Sequence, residues 1–399
     1  MPRNGLRRIV LVLMAATLVL AACGSDSNDT GTTDTTAGGG KKTTVNLAFV
    51  GPLTGPNANL GINIRDGMQV AVEEANMKGG DITFAIKEFD TQGDPAQAPG
   101  QKDKYIPDES ILAVVGPTFS GETRAVLPDL NEAKLVMISA SATNVALPTD
   151  IPSDVFHRVI PDDGVQAAGI ADYVTKKLKP KKIALVHDNT DYGKGLWEGV
   201  VKLLGDAGID TSTQDAIDPK SQDYSVAVNK VKAAKVDMVF YGGYYNEAGR
   251  FKKQLADAGV KSTFISGDGS LDPGFVVSSG APGGEGALLT CPCRLATPDI
   301  AGAPGDFAKK YAEIVKKEPG TYSSEGYDAA NILIKGINEG NTTREKLLAY
   351  VEGLGSYEGI SKTIEFEKNG NVKAGDVFVY EVKGGKITEL GKTSELAAG

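Results

Sequence analysis

The chain has 399 residues, of which 41% are hydrophobic and 23% charged, so a fibrous or wholly disordered protein is excluded. Acidic residues outnumber basic ones by 51 to 42, and nucleic acid is therefore not an expected partner, because phosphate backbones are held by basic patches. Only two histidines occur, which argues against a histidine-rich metal site, and we expect neither metal nor cofactor. The length predicts two or three domains.

Residues 1–22 have the features of an export signal, with arginines followed by an apolar stretch at 9–20 that is too short to span a bilayer. The sequence Leu-Ala-Ala-Cys ending at Cys23 resembles a bacterial lipobox, in which the signal is cleaved before the cysteine and the cysteine is lipidated. The alternative is an ordinary secreted protein. Residues 23–43 contain no large apolar side chain and predict a flexible, lipid-anchored linker. We expect the protein on the extracytoplasmic face of the cell membrane.

After this linker, apolar strand-like runs alternate with helix-like stretches, twice over. Strands are predicted at 45–51, 82–90, 111–117, 182–188, 236–243 and 262–268. Helices are predicted at 62–80, from a loop holding Tyr192 through Leu204, and from Asn246, whereas Pro99, Gly100 and Pro107 shorten any helix within 95–110. Continuous Val/Ile/Leu runs of this length are typical of parallel strands that helices cover on both faces. The pattern therefore predicts two doubly wound α/β domains.

Two segments, 111–126 and 236–251, share one pattern: a strand, a glycine turn and the start of a helix. In open α/β sheets, ligands lie beyond the carboxyl ends of the strands. If the two domains face each other, Ser120 and Tyr244 converge on one cleft.

At this point the sequence resembles a known family, the type I periplasmic binding proteins of ABC transporters, in their leucine/isoleucine/valine-binding branch. The resemblance extends from Val45 to Lys386. Its most specific pieces are FVGPLTGPNANLG (49–61), VVGPTFSG (114–121), MISASATN (137–144), HDNTDYGKG (187–195) and YGGYYNEAG (241–249).

The resemblance implies two Rossmann-like domains joined by three hinge crossovers. The first domain would comprise residues 44–162 and 293–375, and the second 163–292 and 376–391. The family would make this chain a binding protein with no catalytic residues.

The resemblance also implies the site. The ligand's α-carboxylate would be held by Ser120 and by the loop Ser141, Ala142 and Thr143, because helix N-termini and small hydroxyls bind anions without an arginine. Its ammonium would meet Asp268, where the family has a Glu.

Further residues carry over from the family as neighbours of the ligand. Tyr192 and Tyr244 would close the cleft, and Asp163 occupies the place of an acidic residue near the hinge. Leu60 and either Ser323 or Ser324 stand where leucine binders have aromatic side chains, so the ligand could be bulkier than leucine, a different amino acid or an amide.

Each residue also has a structural interpretation. Ser120 could be a helix cap, Thr143 and Asp268 turn residues, and the two tyrosines packing residues. Cys291 and Cys293 could form a disulfide in an oxidising compartment, although two residues apart on a strand they would be separated by about 6.6 Å, near the upper limit. The alternative is a pair of reduced, buried cysteines.

The expected function is capture of a branched-chain or related amino acid by a monomer that delivers it to ABC permease subunits. The alternatives are a receptor for another small ligand, such as an amide, a urea-like compound or an aromatic carboxylate, and a ligand sensor. A surface lipoprotein hydrolase is disfavoured, because no Gly-x-Ser-x-Gly motif and no zinc motif are present.

Overall fold

The computed structural model describes residues 42–280, 282–373 and 375–399. The predicted signal sequence, Cys23 and nearly all of the linker lie outside these residues. No helix in the described part of the chain is both long and apolar enough to cross a membrane.

The first sheet has five parallel strands in the order β2-β1-β3-β4-β5. Its strands are β1 (Thr43–Gly51), β2 (Ile82–Asp90), β3 (Ile111–Val115), β4 (Met137–Ser139) and β5 (Phe156–Arg158). The intervening helices are α1 (Ala58–Lys78), α2 (Ala98–Tyr105), α3 (Ser120–Glu132) and α4 (Leu147–Asp150). Every residue of β3 is buried, as expected for the central strand of a sheet covered on both faces.

The second sheet has seven strands in the order β14-β13-β10-β9-β8-β6-β7. Its parallel strands are β6 (Lys182–His187), β7 (Asp210–Ala216), β8 (Met238–Gly242), β9 (Thr263–Ser266) and β10 (Leu288–Cys291). Their helices are α5 (Asp163–Tyr173), α6 (Asp191–Asp206), α7 (Ser225–Ala234), α8 (Tyr245–Asp257) and α9 (Pro273–Ser279). A short 3-10 turn at Asp268–Ser270 follows β9.

After β10 the chain returns to the first sheet. It forms α10 (Ala303–Val315), α11 (Ser323–Asn338), α12 (Arg344–Glu352) and the small hairpin β11 (Tyr357–Glu358) and β12 (Thr363–Ile364). Helix α11 packs closely on α1. The approach requires glycine at position 326, because a Cβ atom added there would lie 2.5 Å from the backbone of Ile64. We call the first sheet with its helices, including α10 to α12, the first lobe.

The chain then crosses back and completes the second lobe, which is the seven-stranded sheet with its helices. The hairpin β13 (Phe378–Lys383) and β14 (Lys386–Lys392) joins the sheet antiparallel to β10, and α13 (Thr393–Ala398) packs on α5. The chain thus passes between the lobes three times. The exact domain boundaries given above remain predictions.

The prediction of two doubly wound α/β units is confirmed, and all six predicted strands are present with small shifts at their ends. Two expectations need correction. Helix α1 begins at Ala58, four residues before the predicted start, and Tyr192 lies inside α6, because the Thr190 hydroxyl accepts from the Gly193 amide and starts that helix at Asp191. The helix within 95–110 is short, as predicted: α2 spans eight residues, with Pro99 in its first turn, where proline is tolerated, and ends before Pro107.

Cys291 and Cys293 are bridged at the second passage between the lobes. Their Cα atoms are 4.9 Å apart, well below the spacing of a regular strand, because β10 ends at Cys291 and the chain bends at Pro292. Both cysteines are buried.

We predict that protein purified without reductant carries this bridge. Peptide mass spectrometry after alkylation should find both cysteines unlabelled, and both labelled once the same sample is reduced first. Two labelled cysteines without reduction would contradict the bridge. Because the closed loop is so short, chain entropy favours it less than the few kcal/mol typical of longer loops.

Candidate functional site

The starts of two helices meet between the lobes. Phe119 precedes α3 and Tyr244 precedes α8, each with extended backbone, and their ring centroids are 4.3 Å apart. Each helix follows the carboxyl end of a buried parallel strand, β3 in one case and β8 in the other. The repeated pattern of strand, turn and helix therefore places its two copies on opposite sides of one cleft.

Small hydroxyl side chains line the first-lobe side of the cleft. Ser120 is the first residue of α3 and not its cap, since Phe119 holds the cap position, and the Ser120 hydroxyl accepts from the Asn144 amide at 3.2 Å. Ser141 donates to the Thr118 carbonyl at 2.6 Å. Thr143 is fully buried, and its hydroxyl, a neighbour of the Asp163 carboxylate, has no well-formed hydrogen bond among the residues that the structure describes. A buried, unpartnered hydroxyl is rare in proteins, which makes Thr143 a candidate to meet a ligand.

Arg158 fixes the loop that holds these hydroxyls, a role the sequence did not reveal. Its guanidinium donates to the carbonyls of Ala142 and Asn144, both at 2.9 Å, to Asn371 at 2.9 Å and to Asp162 at 3.3 Å. The side chain is fully buried at the end of β5. Arg158 is therefore a positioning residue for the loop from Ser141 to Asn144.

Asp268 lies on the second-lobe side, in the 3-10 turn after β9, and is fully buried. Its two carboxylate oxygens accept from the hydroxyls of Tyr192 and Tyr322, each at 2.6 Å. The Gly269 amide donates to the Tyr192 hydroxyl at 3.0 Å. The Tyr192 and Tyr244 rings are 5.1 Å apart, so all three tyrosines belong to one cluster with Asp268.

Tyr322, which the sequence analysis did not single out, is the residue of this segment that reaches Asp268, whereas the assignment of the later aromatic position to Ser323 or Ser324 stays a prediction. Tyr322 precedes α11 with a left-handed backbone, φ 69°, and crosses from the first lobe to Asp268. Ser324 instead lines a cavity of about 270 Å³ beside Cys293 and Lys362, at the passages between the lobes. Leu60 is fully buried in the hydrophobic core.

Asp163, the first residue of α5, is buried as well. Neither of its carboxylate oxygens has a hydrogen-bond partner in the described part of the chain. Burial raises the pKa of Asp163 well above its usual value and the nearby charge of Asp268 raises it further, whereas the neighbouring Thr143 hydroxyl and the charge of Arg158 lower it only in part. Burial likewise raises the pKa of Asp268, against the hydrogen bonds from Tyr192 and Tyr322. Two buried carboxylates thus face each other without a cationic partner bonded to either.

The two lobes touch directly around this cluster. Asn57 and Asn59, at the start of α1, donate to Glu247 at 3.0 Å and to Asp272 at 2.9 Å in the second lobe. Further polar contacts join Arg124 and Asn144 to Asp191, and Thr321 to Leu271. The structure therefore shows the cleft closed.

Comparisons with known proteins agree with this geometry. A family model described as "Periplasmic binding protein" matches residues 44–386. The Leu/Ile/Val-binding protein BraC3 of Rhizobium johnstonii is 31% identical over 350 residues, covering 86% of this chain and 93% of that protein. The leucine-, isoleucine-, valine-, threonine-, and alanine-binding protein of Pseudomonas aeruginosa is 28% identical over 342 residues, covering 85% and 90%.

Solved structures show the same fold. A leucine-binding protein LivK from Thermotoga maritima superposes with a TM-score of 0.79 at 25% identity, covering 87% of this chain and 98% of that one. A solute-binding protein from R. palustris in complex with benzoate, at 20% identity, gives 0.78 over 88% and 96% and shows the fold alone.

The chain belongs to the periplasmic binding protein family, as the sequence resemblance predicted. Its fold is that of the type I members. The family consists of extracytoplasmic solute-binding proteins and not of enzymes, which answers the hydrolase alternative.

Glu122 supports the start of α3 from inside the protein. Its carboxylate accepts from the Phe119 amide at 2.8 Å and from the Thr91 hydroxyl. Because burial dominates, the pKa of Glu122 is raised from its usual 4.5 to about 7. The unfolded chain therefore loses this proton at a lower pH than the folded protein does, and stability falls as pH rises between these two values.

We predict that Glu122→Gln abolishes this loss of stability, which amounts to about 3 kcal/mol. Between pH 5 and pH 8, urea unfolding should show the free energy of unfolding of the variant rising relative to that of the native protein by about 2–3 kcal/mol, because part of the loss has already occurred at pH 5. An equal difference between the two proteins at both pH values would contradict the assignment.

Proposed function

We propose that this protein is the substrate-binding component of an ABC transporter and captures a branched-chain or related amino acid in the cleft between its lobes. The observation that carries the proposal is the buried carboxylate of Asp268, which accepts hydrogen bonds from Tyr192 of the second lobe and Tyr322 of the first lobe at the closed cleft. An amino acid has one cationic and one anionic end, and the cleft offers one partner for each.

The cationic end of the ligand would meet Asp268. The partners of this carboxylate in the structure are neutral hydroxyls. They stabilise its negative charge through hydrogen bonds but do not neutralise it. A buried ammonium without a partner is costly, and a carboxylate is its natural partner in a water-free site. Asp is one methylene shorter than the Glu of the family, and Tyr192 and Tyr322 hold it in place.

The anionic end would meet the first amides of α3 and the hydroxyls of Ser120 and Thr143. Thr143 supports this assignment, because its buried hydroxyl forms no well-defined hydrogen bond within the described part of the chain. Arg158 does not compete for the ligand, since its guanidinium is bonded to the loop carbonyls, Asn371 and Asp162. A neutral anion site at a helix N-terminus is sufficient for one carboxylate.

The apolar part of the ligand would lie against aromatic rings. Phe119 and Tyr244 stack across the cleft, with Tyr192 beside them. The relatives named above bind leucine, isoleucine and valine, as their names state, and ring faces suit such side chains.

The cellular setting completes the proposal. We infer that Cys23 carries lipid, that residues 23–43 tether the two lobes to the membrane, and that the protein acts as a monomer that delivers its ligand to permease subunits. The lipobox-like sequence after an apolar stretch supports the anchor. Closure of the lobes by hinge motion would then signal to the permease that ligand is bound.

We predict that Asp268→Asn, which keeps the shape and removes the charge, weakens amino-acid binding by about 10²–10³-fold. Breaking one partner of a buried charge pair costs about 3–5 kcal/mol. The measurement is calorimetric titration with L-leucine, L-isoleucine and L-valine. Asp257→Asn, exposed on α8 of the same lobe, is the matched control and should bind as the native protein does.

Binding by Asp268→Asn within threefold of the native protein would show that Asp268 does not hold the ammonium. A ligand without a cation, such as a simple carboxylate or an amide, would then be the better interpretation. A thermal-shift screen of those compounds would separate the two outcomes, since saturating ligand raises the melting temperature.

We predict that Cys23→Ser prevents lipidation, so that the protein is released into the medium or stays as an unprocessed precursor. Cell fractionation and intact mass measurement test this. Normal membrane retention of the variant with a lipid-modified mass would refute the anchor.

A further inference from the structure

We propose that capture of a zwitterionic amino acid takes up one proton, which Asp163 holds in the closed, liganded protein. This inference rests on the proposed function and concerns the same cleft. It follows from the number of charges that closure buries together.

The cleft contains two buried carboxylates, but an amino acid brings only one cation. Asp268 accepts from two tyrosine hydroxyls, whereas both oxygens of Asp163 lack any hydrogen-bond donor in the described residues. Asp163 is 2% exposed and Asp268 is fully buried. If the ligand's ammonium neutralises Asp268, the charge of Asp163 stays without a partner.

The neighbouring charged groups do not supply that partner. Arg158 is paired with Asp162 at 3.3 Å, and its other donors are bonded to Ala142, Asn144 and Asn371. The negative charge of Asp162 therefore already balances the positive charge of Arg158, and none is left over to neutralise Asp163.

The nearest neutral group is the Thr143 hydroxyl, which lowers the pKa of Asp163 but brings no charge. The remaining groups that face Asp163 come from three other elements. Tyr192 of α6, Tyr244 before α8 and Tyr322 before α11 are neutral phenols, since burial raises the pKa of each well above its usual value. On the outer side, Asp191 and Lys194 line a groove of about 480 Å³ that also reaches Asp163.

The ligand adds no net charge, because its carboxylate accompanies its ammonium. With Asp268 and Asp163 both ionised, the closed site would therefore hold two net negative charges. One is on the ligand's carboxylate, which the amides and hydroxyls of the anion site would hold, and the other is on Asp163, which stays uncompensated in a water-poor environment unless a proton is bound. Asp163 is the proton acceptor that the geometry favours. Hydrogen-bond donors stabilise the ionised form of a carboxylate, so protonation costs less at Asp163 than at Asp268, which accepts from two tyrosine hydroxyls. The proton comes from the solvent and forms an O–H bond on an Asp163 oxygen, with no other bond broken.

The groove gives that proton a path. Asp163, Arg124, Asp191 and Lys194 are among the residues that line it, and a Cβ added at Gly195 of α6 would lie 3.8 Å from the buried carboxylate of Asp163. Asp163 thus lies between solvent and ligand. In an open protein the same carboxylate would be hydrated and ionised at neutral pH, as an ordinary aspartate is.

Proton uptake gives ligand affinity a defined pH dependence. Where Asp163 is ionised in the open protein and protonated in the complex, the dissociation constant should rise about tenfold for each pH unit. Affinity therefore falls as pH increases from 6 to 8. The Asp268–ammonium pair alone would give a flat profile over this range, because neither group titrates while they are paired.

The test is calorimetric titration of the full protein with L-isoleucine and L-leucine at pH 7, in phosphate and in Tris. These buffers differ in their ionisation enthalpy, so the difference in heat reports the protons exchanged. We expect about one proton taken up by the native protein. Asp163→Asn should take up none and should show a dissociation constant that does not change between pH 6 and 8.

The matched control is Asp172→Asn, which removes a carboxylate from the outer side of the same helix and should keep the native proton uptake. If Asp163→Asn fails to fold, infrared difference spectroscopy of the native protein replaces it. Ligand addition should produce the absorption band of a protonated carboxyl group.

The outcomes separate the two claims. Binding without proton uptake, or without a carboxyl band, overturns the proton linkage and leaves the proposed function intact. Uptake that persists in Asp163→Asn overturns the assignment to Asp163. No binding heat with any of the twenty amino acids overturns the proposed function, and the linkage with it.

Discussion

The shared hydrogen bonds of Asp268 are the interaction on which the closed structure depends. One donor, Tyr192, belongs to the second lobe together with Asp268, whereas the other, Tyr322, reaches across from the first lobe. Removing a carboxylate from water is expensive unless its oxygens are satisfied. Opening the lobes must therefore break the Tyr322 contact and rehydrate the carboxylate. If the same group binds a ligand's ammonium, as we propose, one side chain links ligand binding to closure.

The folds of both lobes explain why the polar groups meet there. Parallel strands β3, β8 and β9 end at the cleft, and the residues that follow them, Ser120, Tyr244 and Asp268, are brought to one place by topology alone. The three passages of the chain connect the two lobes, and the bridge between Cys291 and Cys293 lies on one of them. Rigid sheets joined by short connections favour a hinge motion, because each lobe moves as a unit.

Much of this arrangement could be predicted from the sequence, because local patterns determine it. Apolar runs predicted the central strands, and the glycine turns after them predicted the cleft. Tyr322 was missed because the family resemblance placed the aromatic position at Ser323 or Ser324, and no local pattern shows the left-handed backbone before α11 with which Tyr322 reaches Asp268. Arg158 was missed because its role depends on carbonyls of a loop 14 and 16 residues away. The missing donors of Asp163 are a property of packing, which no motif encodes.

The most direct test of the account is a crystal structure of the protein with L-isoleucine. The account predicts that the ligand's ammonium lies within about 3 Å of the Asp268 carboxylate, a normal hydrogen-bond distance. It also predicts that the ligand's carboxylate contacts Ser120 and Thr143 at the start of α3. A ligand bound outside the cleft, or one whose carboxylate points toward Asp268, would contradict it.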